Sequence, residues 1–191
     1  MFSLTRLSLI LLMLMLALPL AGARADEYSD TVKVFQDAGE SGKFFAKSYG
    51  YALFPTIGKG GIGIGGAYGK GRVYAQGNYV GNASMTQVTI GFQLGGQAYS
   101  QIIFFEDKRA FDEFTGGNFE FGAEASAVAI TAGASARAST TGSSAGASGG
   151  KYDATTASSG FRKGMAVFTV AKGGLMYEAS IGGQKFNYTP K

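Results

Sequence analysis

The hydrophobic pattern changes period along this chain. Leu7 to Leu20 is a predominantly apolar run behind Arg6, and Ala23-Arg24-Ala25 follows two residues later. A basic residue, an apolar stretch too short to span a bilayer and an A-x-A site predict a secretory signal peptide, residues 1–25, cleaved before Asp26. Val32, Val34, Phe35 and Ala38 then recur at helical spacing, with Ser29 or Asp30 as N-cap, and Gly39 and Gly42 interrupt them. Ser41 to Tyr49 predicts a second helical turn or two, carrying Phe44, Phe45 and Lys47 and stopping at Gly50. Phe54-Pro55 favours extended backbone.

From Gly61 the period is two. Ile62, Ile64 and Tyr68 share one face, and Gly61, Gly63, Gly65 and Ala67 the other. Val88, Ile90, Phe92 and Leu94 alternate with Gln87, Thr89, Gly91 and Gln93, the pattern of a half-buried strand. Gly95-Gly96 predicts a turn before a strand from Gln97 to Phe105. Asp107 should cap a short helix, Lys108 to Phe114, closed by Gly116-Gly117. Phe119, Phe121, Ala123, Ala125 and Ala127 alternate again, and residues 138–150 form a low-complexity loop. Met165–Val170, a turn at Lys172-Gly173-Gly174, and Leu175–Ile181 predict a final hairpin. The expected fold is α+β and β-rich. It is a strongly curved antiparallel sheet or barrel-like sandwich with short N-terminal helices and one inserted helix, forming a single domain over residues 26–191.

Composition removes several chemistries. The 191 residues include no His and no Cys. A Ser-His-Asp triad is therefore impossible, although Gly142-x-Ser144-x-Gly146 and Gly146-x-Ser148-x-Gly150 match the esterase elbow. Zinc, haem and thiol chemistry of the usual kinds lose their ligands, and a lipoprotein loses the cysteine that would be acylated. Without Arg6 and Arg24, the 17 basic residues fall to 15 against 13 acidic ones, which is not a nucleic-acid-binding balance.

Eight of the seventeen residues from Gly58 to Tyr74 are glycine, and G-x-G-x-x-G occurs at Gly58-Gly60-Gly63 and at Gly61-Gly63-Gly66. A dinucleotide site needs a helix after this loop, whereas a strand-like alternation follows. Glu106-Asp107 and Asp112-Glu113 belong to an exposed helix, where paired carboxylates are solvated charges. The expectation is a protein without catalytic residues, cofactor or metal.

One charge feature remains. No acidic residue occurs from Gly42 to Phe105, while Lys43, Lys47, Lys59, Lys70 and Arg72 lie among Phe44, Phe45, Tyr51, Phe54, Tyr68 and Tyr74. If the basic groups converge, they offer a site for anionic headgroups, with apolar insertion from the amphipathic segment Tyr28 to Tyr49. Each lysine alone is an ordinary solvated residue. The alternatives are an envelope protein-interaction or surface-antigen module without lipid affinity, and a small outer-membrane barrel.

The blocks "GYALFPTIGKGGIGIGGAYGKGRVY", "MTQVTIGFQLGGQAYSQIIFF", "FTGGNFEFGAEASAVA" and "KGMAVFTVAKGGLMYEASIGGQKFNY" occur in that order. Together they resemble the SYLF lipid-binding domain family, over Val32 to Tyr188, and its exported bacterial branch in particular. The resemblance implies a non-catalytic phospholipid-binding module, periplasmic or otherwise associated with the envelope, or secreted. It maps an amphipathic part onto Val32 to Phe45 and a basic part onto Lys59, Lys70 and Arg72. The implied partner is an anionic phospholipid or membrane surface, with an envelope protein as a further possibility. Lys43, Lys47, Lys59, Lys70, Arg72, Phe44 and Phe45 are the candidate lipid-binding residues.

Overall fold

The computed structural model describes residues 23–121, 155–156 and 160–191. The apolar run of the expected signal peptide and the 138–150 loop lie outside the described residues. Helix α1 spans Ala23–Asp37, and a 3-10 turn covers Ser41–Phe44. Strands β1 (Gly50–Ala75) and β2 (Asn78–Phe105) form a long hairpin. Helix α2 (Lys108–Thr115), β3 (Asn118–Phe121), β4 (Thr155–Thr156) and β5 (Met165–Pro190) follow. The strands make one antiparallel sheet in the order β1-β2-β5-β3, with β4 also on β5.

The fold class expected from the pattern is the one observed, but several boundaries differ. Helix α1 starts upstream of Ser29 and Asp30, so neither caps it. The Ser41–Tyr49 helix contracts to the 3-10 turn, after which the Lys47 amide donates to the Phe44 carbonyl at 3.1 Å. The turn predicted at Gly95-Gly96 is a bend within a continuous strand, and β1 bends in the same way. Gly95 adopts φ +122 inside β2, and Gly63 adopts φ +71 inside β1, where the pairing shifts between Ile62 and Ile64. A positive φ redirects a strand without ending its ladder. At the expected Lys172 turn β5 carries a bulge: Ala98 faces Gly173 and Tyr99 faces Ala171.

These bends fold the hairpin back on itself. The start of β1 lies against its own end, and the Gln76 amide donates to the Tyr49 carbonyl at 2.9 Å. Gly69 meets Thr56 and Ile57, and Gly71 meets Leu53 and Phe54, so closely that neither glycine leaves room for a Cβ. The glycine face of β1 is therefore the face where two layers touch.

Between the layers lies one core, containing Phe54, Ile57, Val73, Met85, Ile103, Phe105 and Phe186, with Ala110 and Phe114 of α2 against it. The Gln101 and Gln184 side-chain amides exchange hydrogen bonds of 3.3 and 3.4 Å inside it. A second core lies on the other side of the sheet, where Phe35, Ala38 and Phe44 pack on Leu53, Ile102, Phe104, Ala166 and Phe168. Alternation explains the division: Ala52 and Phe54 point one way and Leu53 the other. Asp107 caps α2 as expected, accepting from the Ala110 amide at 2.8 Å. β1 pairs only with β2, so among the described residues the sheet does not close into a hydrogen-bonded ring.

Candidate functional site

The candidate basic and aromatic residues divide among three environments. Phe44 is 6% exposed and belongs to the second core, its ring centroid 4.9 Å from Phe168 and 5.7 Å from Phe104. Lys59 is 4% exposed and shares the buried side of β1 with Ile57. Strand parity puts it there, because Thr56 and Gly58 occupy the solvent side. Neither side chain is placed where it would meet a headgroup. Lys43 and Lys47 are exposed beside the 3-10 turn, and Lys43 pairs with Glu40 at 3.2 Å.

The remaining residues lie on the outer side of the folded hairpin. Phe45 packs edge-on against Tyr51, with centroids 5.4 Å apart. Tyr51 stacks on Tyr74 at 4.9 Å, and Tyr74 lies 6.0 Å from Tyr79. The Arg72 guanidinium completes this array, 4.1 Å from the Tyr28 ring centroid and 5.4 Å from that of Tyr79. Lys70 projects from the same face of β1 and is exposed. The structure therefore gathers Phe45, Tyr51, Tyr74, Lys70 and Arg72 on one side of the hairpin. Sequence reasoning gave Tyr28 only as the start of the amphipathic segment, and it missed Tyr79 and Lys191, whose ammonium lies 5.5 Å from the Tyr79 ring. Tyr28 and Lys191 come from opposite ends of the chain, so local spacing carries no signal for them.

Electrostatics fits this packing. Burial, then the neighbouring Tyr74, pushes the Tyr51 phenol up to about 12. Burial also raises Tyr28, while Arg72 pulls it the other way. Arg72 is half-buried against rings and has the lower hydration cost of a guanidinium. Helix α1 is fastened to the hairpin at a second point. Glu27 accepts from Thr56 Oγ1 at 2.9 Å and pairs with Lys172 at 3.6 Å. The apolar side of this N-terminal segment, Phe35 and Ala38, is fully buried in the second core.

The carboxylates of α2 are exposed and paired, Asp112 with Lys108 at 2.6 Å and Glu113 with Arg109 at 3.5 Å. Among the described residues no group of His, Cys, Asp or Glu is arranged to hold a metal ion, and no helix is long and apolar enough to cross a membrane.

A family model described as "Ysc84: Las17-binding protein actin regulator" matches residues 86–188. "Beta cell expansion factor A" from Aeromonas veronii is 26% identical over 164 residues, which cover 81% of this chain and 51% of that protein. The chain thus spans about half the length of this curated relative. No solved structure matches.

Proposed function

The chain belongs to the Ysc84 family, which is the SYLF family, and on that premise we propose that it is a non-catalytic phospholipid-binding module of the bacterial envelope. The observation that carries this reading is the charge of its longest hairpin. The 26 residues of β1 and 28 of β2 contain no Asp or Glu, while Lys70 and Arg72 stand on the outer face. Neither strand brings a carboxylate of its own to an anionic bilayer, and each basic residue near the surface adds about 1 kcal/mol of attraction. The absence of histidine and cysteine from the sequence supports a binding role over a catalytic one. The proposed setting is the periplasm or outer envelope, reached through the signal peptide.

Vesicle flotation of residues 26–191 tests the reading. More protein should float with anionic than with zwitterionic phospholipid, and part of that excess should disappear at physiological salt. No flotation with either lipid overturns it. The family description names a protein, Las17, and actin, which supports a second reading, a protein-interaction module without lipid affinity. A stoichiometric protein partner together with failed flotation favours that alternative.

A further inference from the structure

The bend of the folded hairpin is built inside out. Ile62, Ile64, Tyr68, Val88, Ile90 and Leu94 all face solvent, each between 52% and 81% exposed. Of the positions between them, Gly65 and Ala67 on β1 and Gln87 and Thr89 on β2 point inward and are buried. Register joins the outward residues into one patch. Ile62 stands opposite Leu94, Ile64 opposite Ile90, and Val88 lies two positions from Ile90 on the same face. A soluble sheet places apolar side chains inward and polar ones outward. Here the order is reversed, as in strands that face lipid.

The same face is also graded along its length. On β1 it runs from Ile62 and Ile64 through Tyr68 to Lys70 and Arg72. On β2 it runs from Leu94, Ile90 and Val88 through Thr86 to Ser84 and Asn82. At about 3.3 Å per residue, Tyr68 lies about 13 Å and Lys70 about 20 Å from Ile64. Apolar, then tyrosine, then basic is the order of environments met on leaving a bilayer, from acyl chains through the interface to the phosphates.

From this gradient we infer that the bend enters the acyl layer of a phospholipid bilayer, with Tyr68 at the interface and Lys70 and Arg72 among the headgroup phosphates. The inference rests on the lipid-binding reading above and assigns its insertion element. It moves insertion away from the N-terminal amphipathic segment, whose Phe35 and Ala38 are already buried in a core. It also gives the acid-free hairpin a role: every residue of β1 and β2 that flanks the tip is neutral or basic.

The test uses anionic phosphatidylglycerol vesicles and the chain from Asp26 to Lys191. Ile64 and Ile90 are exposed, so Ile64→Gln with Ile90→Gln should keep the wild-type melting transition. It should lower the vesicle partition coefficient by at least about a hundredfold, the lower end of the scale for withholding two isoleucine side chains from an apolar phase. The sequence has no Trp, so Ile64→Trp and Lys47→Trp each introduce a single indole reporter. Ile64→Trp should shift to the blue on binding and be quenched by lipids brominated on their acyl chains, while Lys47→Trp should not. If wild type fails to float, the lipid-binding reading itself fails. If wild type floats and the Gln pair floats equally, only the insertion site is overturned. A blue-shifted Ile64→Trp indifferent to lipid shows the bend covered by protein and overturns the inference. So does a wild-type dimer that the Gln pair makes monomeric without changing flotation.

Discussion

Gly71→Ala should damage this fold through its sterics alone, and Gly66→Ala supplies the control. Both glycines lie in β1, and neither has a positive φ. Alanine at either site gains the same backbone term, about 0.5–1 kcal/mol, because it forfeits less chain freedom on folding. Their surroundings differ. A Cβ on Gly66 meets only the Gln87 carbonyl oxygen, at 3.6 Å, an ordinary contact. A Cβ on Gly71 falls 2.6 Å from the Leu53 carbonyl oxygen and 2.7 and 2.8 Å from two carbons of the Phe54 ring. The oxygen is backbone and cannot rotate aside. The ring is fully buried, its centroid 5.6 Å from that of Phe186. The layers must separate, an overpacking cost of about 1–3 kcal/mol. Since the backbone term is common, the difference between the two variants isolates this cost. Urea unfolding reads it: at about 1–3 kcal/mol per molar for m, the Gly71→Ala midpoint should fall below that of Gly66→Ala by about 1 M. An equal or higher midpoint for Gly71→Ala would mean that the two halves of β1 do not touch, and the folded-over hairpin would be wrong.

Phe44→Ala should cost about 3–5 kcal/mol of unfolding free energy, since its buried ring packs on Phe104, Phe161 and Phe168. A loss under about 1 kcal/mol in the same urea assay would return Phe44 to the surface as a lipid anchor. The Tyr51 phenol, raised to about 12 by burial and then by Tyr74, keeps its proton in the folded chain where the unfolded chain has lost its own. Its contribution is complete below about pH 10 and is lost as pH rises through about 12. Melting temperatures across that alkaline window should therefore decline less steeply for Tyr51→Phe than for wild type, and identical slopes would contradict the shift.

Much of this architecture was legible because its signals are local. The Asp107 cap, the Ala110 and Phe114 face of α2 and the extended run at Phe54-Pro55 each depend on residues within one turn or a few positions. The bends at Gly63 and Gly95 were harder to read. A glycine with positive φ serves a hairpin turn and a strand bend equally well, and only the partner strand distinguishes them. Here β5 runs on opposite β2 through Gly95↔Met176 and Gly96↔Leu175, so the chain turns a corner without reversing. The aromatic array behaves likewise, since Tyr28 reaches Arg72 across a gap that no local pattern spans.

The faces of β1 and β2 separate two questions that alternation tends to merge. A period of two says which side chains lie together; it does not say which group faces the interior. Ile62, Ile64 and Tyr68 do share a face, as do Val88, Ile90 and Leu94, but that face points outward. What decides the direction is the other set. Gly65, Ala67, Gly69 and Gly71 form a row too small to fill a core of ordinary thickness, and Gly69 and Gly71 abut the first half of the same strand. A row of small residues has its own packing use, the close approach of two layers, and that use commits the large residues opposite to solvent or to a partner. Gln87 and Thr89 accept burial on β2 because the narrow interior there continues from β1 across the paired register Gly65↔Thr89 and Ala67↔Gln87. The same glycines that close the fold therefore turn its apolar side chains outward, so packing and the proposed insertion site arise from a single alternation.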